Sequence, residues 1–277
     1  MTDIILNILF LSAPLMIASL GALISEYAGR TAVFIDGIIN LSAFLCYAFT
    51  VLTKSVVTGC LFSLISCTAF IFLFQKAVEH THANPFLASL ALNIFSGALV
   101  SLLSVKLFGT RGVLTSAFFV FPAATTRIVT SGAACSVIII SIVLLFATKK
   151  GLYLRITGSD PDVLRSRGIN VAAGIRAAWS LAAFYASCAG CILTLRLSSF
   201  VPDISSGSGW LALAAVFLGK RTCTGTCAAV LVICTGEYFA SNLQNIFPNI
   251  SAPILISLPY ITALTLLFLE PDINKKD

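Results

Sequence analysis

The sequence predicts an all-α polytopic membrane protein with a single transmembrane domain, residues 1–277. Of its 277 residues, 58% are hydrophobic and 10% are charged, whereas soluble domains average about 25% charged residues. The mean hydropathy is +1.01. Apolar runs long enough to span a bilayer recur between short polar turns, and a chain of this length holds about eight such spans. No room is left for a soluble catalytic domain.

The predicted spans follow the apolar runs in chain order. They cover residues 4–24, 31–52, 56–74, 85–105, 132–148, 171–197, 226–243 and 250–269. Pro85 suits the first turn of its helix, where a missing N–H costs nothing. Charged residues, glycines and Pro122 interrupt residues 106–131, which are predicted to form an external loop with one short helix.

Two segments predict irregular helices within the membrane. The apolar run 210–218 is too short to cross as an untilted helix. It ends at Gly219-Lys220, which favours a half-helix or re-entrant helix that stops inside protein. Near the start of the second span, Asp36 precedes Gly37, which predicts a broken helix start of the kind tolerated only where protein or water surrounds the backbone.

A polar island, residues 149–170, separates the fifth and sixth spans and carries five basic residues. Within it, Asp160 suits an N-cap, Pro161 the first helical position and Gly168 the residue after the helix, so a short helix is predicted over 161–167. Basic loops mark the cytoplasmic side of a membrane protein. The island and the C-terminal lysines are therefore predicted to be cytoplasmic, and the N-terminus external. The alternative is a solvated loop that only fixes orientation.

Several functions are not supported by the residues. The sequence has no P-loop for ATP, no Ser/His/Asp constellation and no metal-ligand spacing, so we expect no enzymatic activity and no cofactor or metal bound by this chain. The nine cysteines lie mostly in apolar runs and are interpreted as packing residues. We attribute the net charge of +6 to basic residues in cytoplasmic loops, which set the orientation of a membrane protein. The first apolar run is expected to be a retained span and not a cleaved signal peptide.

Polar side chains inside the spans are candidates for a translocation path. Asp36 and Glu237 are ionisable residues in apolar surroundings, where such groups commonly serve function. Asn84 and Asn93 lie near the start of the fourth span and can both donate and accept hydrogen bonds. For each of them, a structural role as a cap or an interhelical hydrogen bond is the alternative.

Several motifs give the chain a resemblance to a known family. Residues 25–29 read Ser-Glu-Tyr-Ala-Gly, residues 158–161 and 168–171 read Gly-Ser-Asp-Pro and Gly-Ile-Asn-Val, and residues 207–220 contain Gly-x-Gly-Trp-Leu-Ala-Leu-Ala-Ala-Val followed by Gly-Lys. With Asp36-Gly37, Asn84, Asn93 and Gly97, these resemble the permease subunits of bacterial ABC importers of the ribose, branched-chain amino acid and nucleoside class. The closest resemblance is to the shorter nucleoside-type permease. Departures from the family pattern occur at Tyr27, Ala32, Phe34 and Ser89.

The resemblance implies an ATP-driven importer of the inner membrane for a nucleoside-like or riboflavin-like solute. The expected partners are a cytoplasmic ATP-binding subunit, a second permease subunit that is different and longer, and an extracytoplasmic solute-binding lipoprotein. The translocation path would add Gly207 and Gly209 to the polar candidates. The residues implied to couple to the ATPase are Gly158, Ser159, Asp160, Pro161, Asp162, Val163, Leu164, Arg165, Arg167, Gly168 and Ile169.

Three other functions are alternatives. A sugar-specific ABC permease shares the same motifs. An ion-driven secondary transporter predicts inverted repeats and several intramembrane carboxylates, and the sequence offers Asp36 and Glu237 alone. A non-transporting scaffold subunit predicts no solute-dependent phenotype.

Overall fold

A computed structural model describes residues 2–246 and residues 257, 260, 261, 264 and 265. Ten α-helices lie in the continuous part. They are α1 (Thr2–Tyr27), α2 (Ile35–Thr53), α3 (Val56–Thr81), α4 (Pro85–Phe108), α5 (Ala123–Ala147), α6 (Lys149–Ser159), α7 (Pro161–Ser166), α8 (Val171–Leu197), α9 (Ser208–Leu218) and α10 (Cys223–Ile246). A short 3-10 helix covers Ala117–Phe119.

Seven of the described helices are long and apolar enough to span a membrane, which confirms the predicted fold class. The eighth predicted span, 250–269, lies largely outside the described residues. Local signals set the helix ends: the Asn84 side chain accepts a hydrogen bond from the N–H of Phe86 at 3.0 Å, with Pro85 in the first turn. Gly109 ends α4 in the left-handed region, at φ 73°.

Two predicted loops are partly helical. Helix α5 begins at Ala123, because Pro122 serves as its N-cap and not as a helix breaker, so the prediction of a loop up to residue 131 was wrong. The first half of the polar island is also helical, since α6 covers Lys149–Ser159. Predicted span three ended at residue 74, whereas α3 continues to Thr81.

The helices form an inner and an outer set. In the most apolar window of α2, 72% of the residues are buried inside the protein, and the value for α8 is 67%. The corresponding value for α3, α4 and α5 is 22%, so these helices present most of their surface to the surroundings. The peripheral helices are apolar nearly all round, as expected for helices that face lipid or another subunit.

Residues 198–222 pass from one side of the protein to the other. Phe200 exchanges backbone hydrogen bonds with Leu114 in the α4–α5 loop, at 2.9 and 3.0 Å. At the other end, Arg221 forms a 3.1 Å ion pair with Glu26 at the end of α1, on the side that carries the polar island. Helix α9 has 11 residues and spans about 16 Å at 1.5 Å per residue. The irregular residues before it complete the crossing.

Candidate functional site

The connection between α1 and α2 is buried without being helical. From Ala32 to Ile35 every residue is at most 3% exposed. Its backbone is satisfied by side chains: the Ser25 hydroxyl accepts from the N–H of Ala32 at 3.1 Å, and the Ser89 hydroxyl accepts from the N–H of Phe34 at 2.9 Å. Non-helical backbone at membrane depth is tolerated only when it is enclosed in this way. The predicted broken helix start is therefore confirmed.

Trp179 holds the same connection from α8. Its indole N–H donates to the carbonyl oxygen of Arg30 at 3.0 Å, and its ring packs edge-on against Phe34 with centroids 5.1 Å apart. Trp179 is fully buried, so the hydrogen bond satisfies an indole N–H that would otherwise be costly to bury.

Asp36 meets the N-terminus of α9. Its Oδ1 accepts a hydrogen bond from the N–H of Gly209 at 3.0 Å. A Cβ on Gly209 would collide with the backbone of Asp36, so the absence of a side chain allows the two helix starts to touch. Gly207 lies just before α9 at φ 82°, in the left-handed region that glycine favours. The carboxylate therefore lies at the positive end of a helix dipole.

Asn93 reaches the same place from α4. Its side-chain carbonyl accepts a hydrogen bond from the N–H of Gly37, and a Cβ on Gly37 would meet Asn93 and Ser96. Four predicted path residues, Asp36, Asn93, Gly207 and Gly209, thus come together. We call this set the α2–α9 junction.

Asn40 completes the junction and was not among the predicted site residues. Its side-chain amide donates to the Ser205 hydroxyl at 2.8 Å and to the Asp203 carboxylate at 3.2 Å, and its oxygen accepts from the N–H of Ser205 at 3.1 Å. Asn40 is 7% exposed. An amide one turn after Asp36, inside an apolar span, is the signal that could have identified it.

The other two predicted path residues lie elsewhere. Asn84 caps α4 and lines a cavity of about 420 Å³ on the island side, together with Arg30, Gln75 and Glu79. Glu237 lines a cavity of about 250 Å³ that Ser208 and Arg196 also border. Neither side chain belongs to the junction, although the Glu237 cavity reaches the first residue of α9.

An aromatic groove lies beside the junction. It has a volume of about 690 Å³ and is bordered by Thr31, Val33, Phe86, Trp210, Leu211, Leu213, Ala214, Phe217, Tyr260 and Leu264. Trp210, the residue after Gly209, is 45% exposed, and Phe86 is 54% exposed. The Tyr260 hydroxyl donates to the carbonyl oxygen of Ser206 at 2.6 Å. The groove therefore offers flat apolar faces next to polar backbone.

The predicted short helix of the island is confirmed as α7, Pro161–Ser166. The Asp160 carboxylate accepts from the N–H of Val163 at 3.3 Å, and Gly168 follows at φ 71°. Leu164 is 1% exposed and anchors the helix.

The outer surface of α7 is charged and open to solvent. Asp162 and Arg165 form a 2.9 Å ion pair with side chains 82% and 68% exposed. Such an exposed pair contributes little to stability. Val163, at 40% exposure, adds an apolar contact. This surface also includes the exposed residues Ser159, Arg167 and Gly168, with Ile169 half-buried.

Gly158 joins the island to the buried α1–α2 connection. A Cβ on Gly158 would collide with the backbone of residues 27–29. Gly29 has a left-handed backbone, at φ 72°, and a Cβ on it would lie 3.1 Å from the Cα of Gly158. The end of α6 therefore lies directly against the segment that leads to Asp36.

Comparison with known proteins gives a consistent result. A family model described as a branched-chain amino acid transport system permease component matches residues 4–266. The nucleoside ABC transporter permease protein NupC of Lactococcus lactis subsp. cremoris (strain MG1363) is 26% identical over 243 residues, covering 78% of this chain and 75% of its own. The guanosine ABC transporter permease protein NupQ of Bacillus subtilis (strain 168) is 25% identical over 295 aligned positions, covering 96% and 90%.

Among solved structures, PsaBC from Streptococcus pneumoniae in complex with Fab is similar. The TM-score is 0.55 at 14% sequence identity, over 97% of this chain and 92% of that chain. At this identity the likeness concerns the fold alone.

Proposed function

The chain belongs to the permease component family of branched-chain amino acid transport systems and is the membrane-spanning subunit of an ABC importer, and we propose that its solute is a nucleoside. It is a multi-pass protein of the inner membrane and a transporter subunit. An importer of this kind works with an ATP-binding subunit and a solute-binding protein.

One observation carries the solute class: the two similar relatives are named as permeases for nucleosides and for guanosine. The aromatic groove supports it physically. A nucleobase is flat, and stacking on an exposed aromatic ring contributes about 1–3 kcal/mol per base. Trp210 and Phe86 offer such rings within one groove. Riboflavin, which also has a flat ring with hydroxyls, stays a second prediction from the sequence.

The α2–α9 junction is proposed to form part of the translocation path. Helices that begin inside the membrane place free backbone groups and the ends of helix dipoles where a polar solute can bind. The Asp36 side chain accepts from the first residues of α9, and the Asn93 side chain accepts from the start of α2. The hydroxyls of the solute would replace one or both of these hydrogen bonds. Glu237 and Asn84 stay as path candidates at neighbouring cavities.

The surface of α7 is proposed to dock on the ATP-binding subunit. The exposed charges of Asp162 and Arg165 and the apolar Val163 suit a protein contact, while buried Leu164 fixes the helix to its own domain. Movement of α7 would then pass through Gly158 to the α1–α2 connection, which leads to Asp36. Hydrolysis of ATP belongs to the partner subunit, and this chain is proposed to bind no nucleotide.

The remaining partners are also proposed. A second permease subunit, different and longer, would pack against this chain, and an external lipoprotein would deliver the solute. The poorly buried faces of α3, α4 and α5 supply apolar surface for a second permease subunit or for lipid.

The solute class can be tested on the importer complex in proteoliposomes. We expect ATP-dependent uptake of radiolabelled guanosine that excess unlabelled nucleoside suppresses and that ribose or leucine does not. Trp210→Ala removes a stacking face and should raise the apparent KM about tenfold, while Trp210→Phe should retain most of the affinity.

Phe72→Ala is the matched control, because Phe72 is also exposed, at 46%, but lies on α3 away from the groove. Its uptake should equal that of the wild type. Suppression by ribose or leucine in place of nucleosides would overturn the proposed solute class. An equal loss for Trp210→Ala and Phe72→Ala would overturn the role of the groove.

A further inference from the structure

Three cysteines from three helices converge in the protein interior. Cys46 of α2, Cys60 of α3 and Cys191 of α8 place their Sγ atoms within 4.8 Å of one another. The Cys46 and Cys60 sulfurs are 3.6 Å apart. Cys46 and Cys191 are buried, at 0% and 5% exposure, and Cys60 is half-buried. Among the described residues, this is the one group of three or more potential metal ligands that converges in this way.

Close helix packing builds this arrangement. A Cβ on Gly59 would collide with the Thr50 side chain and approach the Cys46 carbonyl oxygen at 3.0 Å, so α3 touches α2 at the residue before Cys60. The Thr50 hydroxyl, one turn after Cys46, is buried and has no hydrogen-bond partner among the described residues. A buried hydroxyl in this position can donate to a thiolate, as groups around a metal site do.

The donor set selects the kind of ion. Thiolate sulfur is a soft ligand that favours Cu(I), zinc and iron–sulfur clusters. Structural zinc takes four protein ligands, and the described residues supply three at this place. Three sulfurs in a compact triangle fit a trigonal Cu(I) ion. We propose that Cys46, Cys60 and Cys191 form a binding site for Cu(I), a role that differs from the packing role expected from the sequence.

The net charge of the bound site limits how many of the three thiols lose their protons. Three thiolates around Cu(I) would carry a net charge of −2 in apolar surroundings, which is costly. Two thiolates and one thiol leave −1. Binding should therefore release two protons to solvent per ion, since metal ligands must lose their protons. No electron transfer is needed, because the ion binds in its reduced form.

The three cysteines lie near the α2–α3 turn. This turn is predicted to be on the external side of the membrane, so an ion can reach the site from there. Cys60 follows Ser55, the N-cap of α3, by five residues, which places it about 7.5 Å along the helix. A bound ion would join α2 to α3 and α8, at the end of α2 opposite to Asp36. The site is thus separate from the α2–α9 junction.

The test is an anaerobic titration of the reduced importer complex in nanodiscs with Cu(I), against a competing Cu(I) chelator. We expect one ion per copy of this chain, an X-ray absorption spectrum with three sulfur neighbours, and protection of the half-buried Cys60 from maleimide. Cys46→Ala, Cys60→Ala and Cys191→Ala should each weaken binding at least about 100-fold.

Cys67→Ala is the matched control, because Cys67 is a fully buried cysteine of α3 outside the cluster. It should bind copper as the wild type does. The proposal is overturned if the wild type takes up no copper, if copper does not protect Cys60 from maleimide, or if Cys67→Ala loses as much affinity as the cluster variants. The wild-type protection measurement decides the question even where a variant assembles poorly.

Discussion

Gly209 determines how closely α9 can approach α2. Its Cα faces the backbone of Asp36, and its N–H is the donor to the Asp36 carboxylate at 3.0 Å. One methyl group at this position would separate the two helix starts and lengthen that hydrogen bond. A single residue without a side chain thus fixes the geometry of the proposed path.

We expect Gly209→Ala to lose most of its uptake and about 1–3 kcal/mol of stability, because overpacking of a close contact costs that much. The thermal midpoint of the purified complex and uptake in proteoliposomes measure the two effects. Gly132→Ala is the control, since a Cβ there meets nothing within 4 Å. Uptake by Gly209→Ala at the wild-type rate would contradict this account of the junction.

Phe34 and Ser89 show what the sequence could not predict at this scale. Both depart from the family pattern, yet the Ser89 hydroxyl accepts from the N–H of Phe34 at 2.9 Å. They are 55 positions apart, and no local periodicity relates them. The partners of Asn40 near residue 205 are equally remote in sequence, since six helices, α3 to α8, lie between them.

Helix α7 is the element that local signals predicted best. Asp160, Pro161 and Gly168 act within one short segment, and their capping geometry is the predicted one. Helix α6 was missed because Lys149, Gly151 and Gly158 suggest a loop by composition. In the structure, a Cβ on Gly151 would collide with the backbone of residues 144–145, so glycine there serves close packing of helices.

Charge reversal on α7 separates docking from folding. Arg165→Glu should leave the membrane domain stable, because Arg165 is 68% exposed and surface pairs contribute at most about 1 kcal/mol. It should weaken association with the ATP-binding subunit and reduce solute-stimulated ATPase activity at least about tenfold, since a wrong charge in an interface costs several kcal/mol. Co-purification and ATPase assays measure both.

Arg111→Glu is the matched control, since Arg111 is an exposed basic residue of the α4–α5 loop on the opposite side of the protein. It should co-purify normally. If Arg165→Glu retains both association and stimulation, α7 is not the docking surface.

At the scale of the whole molecule, the crossing by residues 198–222 fixes the topology. The sequence left open whether the short apolar helix crosses or re-enters. Phe200 pairs with Leu114 at one end, and Arg221 pairs with Glu26 at the other. The segment therefore crosses, and α10 returns, so α8 and α10 end on the same side.

Labelling can verify this topology and its orientation. In a variant without native cysteines, Pro202→Cys should react with membrane-impermeant maleimide added outside intact cells. Thr224→Cys and Arg167→Cys should react only after permeabilisation, because positive charges place the island inside. All three positions are exposed in the isolated chain. Reaction of Thr224→Cys from outside would disprove the crossing.

The shortness of α9 has a consequence for biogenesis. An 11-residue apolar helix preceded by irregular backbone is too short to partition into lipid by itself during synthesis. Its unpaired backbone groups need the wall formed by α1 and α2, which is synthesised first and supplies Asp36 and Asn40 as partners. Insertion of this crossing is therefore a folding step, completed against earlier helices and not by the membrane insertion machinery alone.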